Sequence, residues 1–264
     1  MDVSDKLTLL EGSRDVVITV IHNSVNKIRT RPMRVFRDEE KGIEQIARAI
    51  HKETNATIII NNTDIDLNSE ESATDNKDLL TEFKRIIDKI APQVVIDLHG
   101  MANQGSLFNN SKDTGLKAGR EFVEKPIKGV RPDVDIGFRR KSASNFCTSR
   151  GETILRVAKF LSYQGLITDI EAVFPGGNFI GKMATMDRDV MAIEVARRIR
   201  DSIKKRKTFV RAITNFIDSL RGQAVPDEVN TAFDVEKITK IVEKEEKKEV
   251  KKQIKSEETS GYIG

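Results

Sequence analysis

Apolar residues in the first two thirds of the chain alternate between two periods. DVVITVIH (15–22), ATIIIN (56–61) and QVVIDLHG (93–100) are short runs rich in β-branched residues, and they read as strands buried on both faces. Between them, EKGIEQIARAIHKET (40–54) places Ile43, Ile46, Ala47 and Ile50 at helical spacing. NKDLLTEFKRIIDKI (76–90) puts Leu79, Leu80, Phe83, Ile86, Ile87 and Ile90 on one stripe, with Pro92 beyond its end. Strand, helix, strand, helix, strand predicts right-handed βαβ units and a largely parallel sheet. In the third run, Gly100 is expected to break the strand just after His99.

The pattern continues downstream. DVDIGF (133–138) reads as a strand, and RGETILRVAKFLSYQG (150–165) as a helix closed by Gly165. LITDIEAVF (166–174) reads as a further strand followed by the turn PGGN (175–178). VMAIEVA (190–196) fits either period and is read as a strand running into RRIRDSIKK. TFVRAITNFIDSLRG (208–222) is an amphipathic helix with Phe209, Val210, Ile213, Phe216, Ile217 and Leu220 in register.

Near residue 223 the character changes. QAVPDEVN is a linker, and the remainder alternates Lys and Glu with few apolar anchors, which suits a solvated helix or a disordered tail. The expected division is an α/β body over 1–222 and a charged linker and tail over 223–264. That tail accounts for much of the 33% charged content. The net charge of +4 and a pI near 9.0 permit nucleic-acid contact without requiring it. With 5% aromatics and no recognition motif, a nucleic-acid partner is unlikely. The single cysteine, Cys147, excludes an internal disulfide and fits a reducing compartment. No apolar run approaches a membrane span, and MDVSDKLTLLEGSRD is too polar for a signal peptide, so the expectation is a soluble cytoplasmic protein with no membrane partner.

Candidate chemistry starts from the three histidines. His22 and His99 stand at the ends of two predicted parallel strands, so the topology brings both to one sheet edge, where ligands of open α/β sheets bind. His51 lies on a predicted helix beside Lys52 and reads as a solvated residue. Neutral imidazole is the commonest protein ligand for zinc, and a hydrolytic zinc site uses three protein ligands and one open position. A carboxylate from FRDEEKG (36–42), Asp38, Glu39 or Glu40, would complete the set, although acidic residues at a helix start are favoured by the helix dipole alone. Asp97, two residues before His99, shares its face. It could support His99 or line the pocket, or it could cap a neighbouring loop amide. PGGN lacks the Lys-Ser/Thr of a phosphate loop, and Cys147 has no histidine nearby in sequence.

His22, the acidic cluster before Gly42, DIDLN (64–68), VVIDLHGM (94–101), DVDIGF, VFPGGNFIGKM (173–183) and MAIEVA (191–196) occur in the order found in the N-formylglutamate amidohydrolase family. The chain resembles that family from about residue 15 to about 220. The resemblance implies a three-layer αβα sandwich with a mixed, largely parallel sheet, phosphorylase/hydrolase-like, similar to the zinc carboxypeptidases and aspartoacylases. It implies one zinc ion held by His22, His99 and, from the register of Gly42 and QIA (45–47), Glu40. It also implies Glu194 as general base, a small N-acylated amino acid as substrate, and Asn68 as a substrate contact. Two features depart from the family. Ile21 and Asn23-Ser24 flank the first histidine in place of Pro and Ser-Gly, and Ser69-Glu70 follow Asn68 where an arginine would clamp a carboxylate. Arg139 and Lys182 are the expected substitutes, with Arg140 and Arg150 as further candidates. The alternative is a catalytically inactive relative that keeps the fold as a binding or scaffold protein.

Overall fold

The three β-branched runs pair with one another, and the rest of the sheet grows outward from them. The structure is a computed structural model that describes residues 6–22, 27–29, 34–36, 42–63, 65–68, 74–101, 106–108, 124–126, 132–138, 147–170 and 177–222. Strand β1 is Leu7–Leu10, β2 is Ser13–Val20, and the short β3 (Lys27–Arg29) and β4 (Arg34–Phe36) pair only with each other. Helix α1 (Ile43–Thr54) leads to β5 (Ala56–Asn61), and α2 (Lys77–Ile90) leads to β6 (Val94–Met101). β7 (Ser106–Phe108) and β8 (Glu124–Pro126) form a second small hairpin. β9 (Val134–Gly137), α3 (Gly151–Tyr163), β10 (Thr168–Ile170), α4 (Asn178–Met183), β11 (Asp189–Ala196), α5 (Arg197–Arg200) and α6 (Ile203–Ser219) complete the body.

The seven-stranded sheet runs β1-β5-β2-β6-β11-β9-β10. β5, β2, β6 and β11 are mutually parallel, β1 is antiparallel to β5, and β11 meets β9 antiparallel. Alternate residues of the central strands β2, β5, β6 and β11 feed two separate cores, as a period of two requires. Val16, Ile18, Ile58, Ile96, Leu98 and Ile193 pack beneath α1, α3 and α6. Val17, Ile21, Ile59, Val95 and Val190 pack beneath α2 and α4. The result is the expected αβα sandwich with a mixed sheet.

Several elements differ from the sequence expectation. β6 does not stop at Gly100 but runs to Met101, because β11 pairs along its whole length to Ala196. Gly100 leaves room for a different group: a Cβ there would lie 2.8 Å from the Arg200 Cζ, so a larger residue would have to displace that guanidinium. α6 begins five residues before the expected start at Thr208, with Ser202 Oγ accepting from Lys205 N at its start. α4, a short helix beginning at Asn178, the last residue of the stretch read as a turn, was not expected.

Arg188 joins α2 to the turn before β11, donating to Asp88 at 3.0 Å, while Lys84 donates to the other Asp88 oxygen at 2.7 Å. Partial burial raises the Asp88 carboxyl, but these two cations outweigh it and hold the carboxyl below its ordinary value. A depressed carboxylate contributes stability above its unfolded pKa of about 3.9 and loses it as pH falls through the folded value. Asp88→Asn is therefore expected to be less stable than wild type at pH 7. That gap, read by urea denaturation, should close below about pH 4; because Asp88 is 43% exposed, it should stay under about 1 kcal/mol.

Arg221, just past α6, donates to Asp15 at 2.9 Å and to the Thr54 carbonyl, tying the last helix to the foot of β2 and the end of α1. The tail over 223–264 lies outside the described residues. With the body closed off at Arg221, truncation after Gly222 should shift the melting temperature by less than about 2 °C. A larger drop would show that the tail packs on the body. Among the described residues, no helix is long and apolar enough to cross a membrane.

Candidate metal centre

His22 lies two residues beyond β2, and His99 lies on β6 near its end. Since β2 and β6 are parallel neighbours, with Thr19 opposite Asp97, both imidazoles come to the same sheet edge. Both are buried, and their rings meet edge to face with centroids 4.8 Å apart. The two Nδ1 atoms are 3.1 Å apart. Two nitrogens on one zinc, each bonded at about 2.0–2.1 Å, would stand roughly 3–3.5 Å apart.

The outer nitrogen of each ring is held by a carboxylate. His22 Nε2 is 2.8 Å from Asp66 Oδ1, and His99 Nε2 is 2.7 Å from Asp97 Oδ2. Asp66 Oδ1 also accepts from Asn68 N at 2.9 Å, and Asp97 Oδ1 accepts from Thr19 Oγ1 at 2.7 Å. An ionised carboxylate only accepts, so each Nε2 carries the proton. The two Nδ1 atoms then face each other at 3.1 Å. With both rings neutral, their lone pairs repel unless a cation lies between them, a donor chemistry that suits a metal ion. Asp97 thus braces His99 and does not cap a loop amide. Asp66, which sequence reasoning missed, has the same relation to His22.

Glu194 stands opposite His99 on β11 and opposite Asp135 on β9, which in turn stands opposite Asp169 on β10. Cross-strand partners share a face, and neighbouring strands lie about 4.8 Å apart. His99, Glu194, Asp135 and Asp169 therefore form one row across the sheet, with Glu194 and Asp135 buried.

Asp38, Glu39, Glu40, Arg139 and Arg140 lie outside the described residues. Among the described residues no third His, Cys, Asp or Glu is grouped with the pair to hold a metal. Asn68 is at the site's margin, its Oδ1 accepting from Phe179 N at 3.2 Å. Lys182 is half-buried in the last turn of α4. Arg150 is not at this edge: its guanidinium grips Asp189, at the opposite end of β11, which also raises the arginine pKa. His51, at the far end of α1, is half-buried rather than fully solvated, with Nδ1 2.8 Å from the Ala56 carbonyl.

No family model and no curated protein sequence matches the chain. Solved structures do match. An N-formylglutamate amidohydrolase from Ralstonia eutropha JMP134 superposes with a TM-score of 0.57 at 11% identity, over 81% of this chain and 96% of that one. A gene product of Agrobacterium tumefaciens gives 0.49 at 9% identity, over 81% and 94%. The catalytic domain of CwlV, an N-acetylmuramoyl-L-alanine amidase from Bacillus (Paenibacillus) polymyxa, gives 0.44 at 11% identity, over 79% and 99%. The first of these likenesses establishes a shared fold.

Proposed function

We propose that the chain is a zinc-dependent amidohydrolase that cleaves the C–N bond of a small N-acyl amino acid. One observation carries this reading: two buried imidazoles whose Nε2 atoms rest on carboxylates and whose Nδ1 atoms face each other at 3.1 Å. His22 and His99 would hold the ion, with Glu40 as the carboxylate ligand. A bound zinc supplies Lewis acidity toward the acyl oxygen and a water that ionises near pH 7. Asp66 and Asp97 keep both rings in the tautomer that turns Nδ1 inward. Glu194, one strand from His99 on the same face, acts as general base, taking the proton of the attacking water and passing it to the leaving nitrogen. Asn68, Arg139 and Lys182 are the proposed contacts for the polar groups of the substrate. A reducing cytoplasm is the proposed compartment.

Elemental analysis of the purified protein, paired with a hydrolysis panel of N-acyl amino acids, tests the reading. The expected result is one zinc per chain and turnover of at least one panel member. Zinc without any turnover, or absence of zinc from a zinc-supplemented preparation, would overturn the zinc-hydrolase reading and move the protein to the inactive alternative, a binding or scaffold protein.

A further inference from the structure

Two sequence stretches with no chemistry in common, DIDLN and PGGN, meet at one carboxamide. Asn68 Oδ1 accepts from Phe179 N, in the first turn of α4. Gly177, just before that helix, packs directly on the same group: a Cβ there would overlap the Asn68 carboxamide, 2.6 Å from its Cγ. Any residue larger than glycine at 177 must displace Asn68 or the α4 backbone. The helix itself has little freedom to move. Phe179, Ile180 and Met183 are fully buried, and Phe179 stacks edge to face on Phe83 of α2 with centroids 5.4 Å apart.

From Asn68 the contacts continue inward. Its backbone N–H donates to Asp66 Oδ1, the same oxygen that receives His22 Nε2. Asp66 sits in a short segment between β5 and α2, outside regular structure, so nothing in a sheet or helix ladder fixes its carboxylate. Asn68 N–H is one of the groups that hold it, and Asn68 in turn is tied to the anchored helix. We infer that Asn68 is a positioning residue for His22, tying the Asp66 segment to α4 so that the imidazole keeps its Nδ1 turned toward His99. Gly177 is the complement of that tie, since only its missing side chain lets the carboxamide reach Phe179 N. The functional weight of this inference rests on the proposed metal centre, whereas its geometry is a property of the protein without metal.

The test is a double-mutant cycle on the full chain, read in two ways. Nitrogen-15 ring spectra of the apo protein report the His22 tautomer, and competition with a chelator reports zinc affinity. Wild type should show His22 protonated at Nε2. Asn68→Ala should leave the His22 tautomers averaged and weaken zinc binding about 10–100-fold, the range for loss of an outer hydrogen-bond partner of a metal ligand. Gly177→Ala should reproduce both effects, although residue 177 touches neither Asp66 nor His22. In the Asn68→Ala background the added methyl has room, so Gly177→Ala should then do nothing further. Asn68→Asp, which keeps an acceptor for Phe179 N, should restore the wild-type tautomer.

An unchanged His22 tautomer in both single variants would overturn the inference, as would equal effects of Gly177→Ala in the two backgrounds. A far-UV spectrum matching wild type identifies the variants that fold, and either single variant suffices for the tautomer reading. If wild type binds no zinc, the proposed function falls, but the ring spectra still decide whether Asn68 positions His22.

Discussion

His99→Ala is expected to abolish zinc binding and hydrolytic turnover together, whereas His51→Ala should leave both intact. His99 supplies one of the two inward Nδ1 atoms, and no other described side chain stands where it could replace that nitrogen. Losing a ligand outright should exceed the 10–100-fold loss typical of an outer partner. Stability should suffer too. Asp97 is fully buried and accepts from His99 on one oxygen and Thr19 on the other. Deleting the imidazole leaves a buried carboxylate short of a donor, at a cost of about 1–3 kcal/mol. Metal analysis, turnover and thermal melting on the same preparation read all three effects. If His99→Ala still held one zinc per chain, the centre would be elsewhere.

The second large effect falls on Glu194. Glu194→Gln keeps the shape and position of the side chain in the row between His99 and Asp135 but cannot take up a proton. Metal content should stay at the wild-type level while kcat drops about 10²–10⁴-fold, the usual contribution of a positioned general base. The contrast with His99→Ala is the diagnostic: one variant loses metal and chemistry, the other loses chemistry alone. Full activity in Glu194→Gln would place the base elsewhere, and Glu171, outside the described residues, is the next carboxylate to replace.

Much of this was legible before any coordinates. Runs such as ATIIIN and QVVIDLHG admit few alternatives to buried parallel strands, and two histidines at the ends of such strands must converge on one edge. What was not legible depends on pairing or on short length. LTLL and NFIGKM are too short to display a period, so β1 and α4 were missed. Glu194 could be placed beside His99 only by resemblance, because its register against β6 depends on a pairing across 95 residues of chain. Asp66 was visible as an acidic residue flanked by Ile65 and Leu67. Its partner, however, is 44 residues away in sequence, and no spacing rule connects a loop carboxylate to an imidazole across a neighbouring strand. The extension of β6 through Gly100 was hidden for the same reason, since it depends on β11 and on Arg200.

The position of β11 has a consequence for how the molecule is made. It is the last of the described strands in sequence, yet it occupies the middle of the sheet, between β6 and β9. On the ribosome, β5, β2 and β6 can pair early, but β6 keeps an open edge until residues 189–196 emerge. That edge carries Asp97 and His99 on one face and Ile96 and Leu98 on the other. A nascent chain at this stage is half a sheet with an unpaired, partly apolar border, the arrangement most prone to pairing with another copy. Because closure joins segments so far apart in sequence, it belongs to the slow class of folding events. The strand that brings Glu194 beside His99 is also the one that closes the gap between β6 and β9, so the row of His99, Glu194 and Asp135 and the completed sheet form in a single late step.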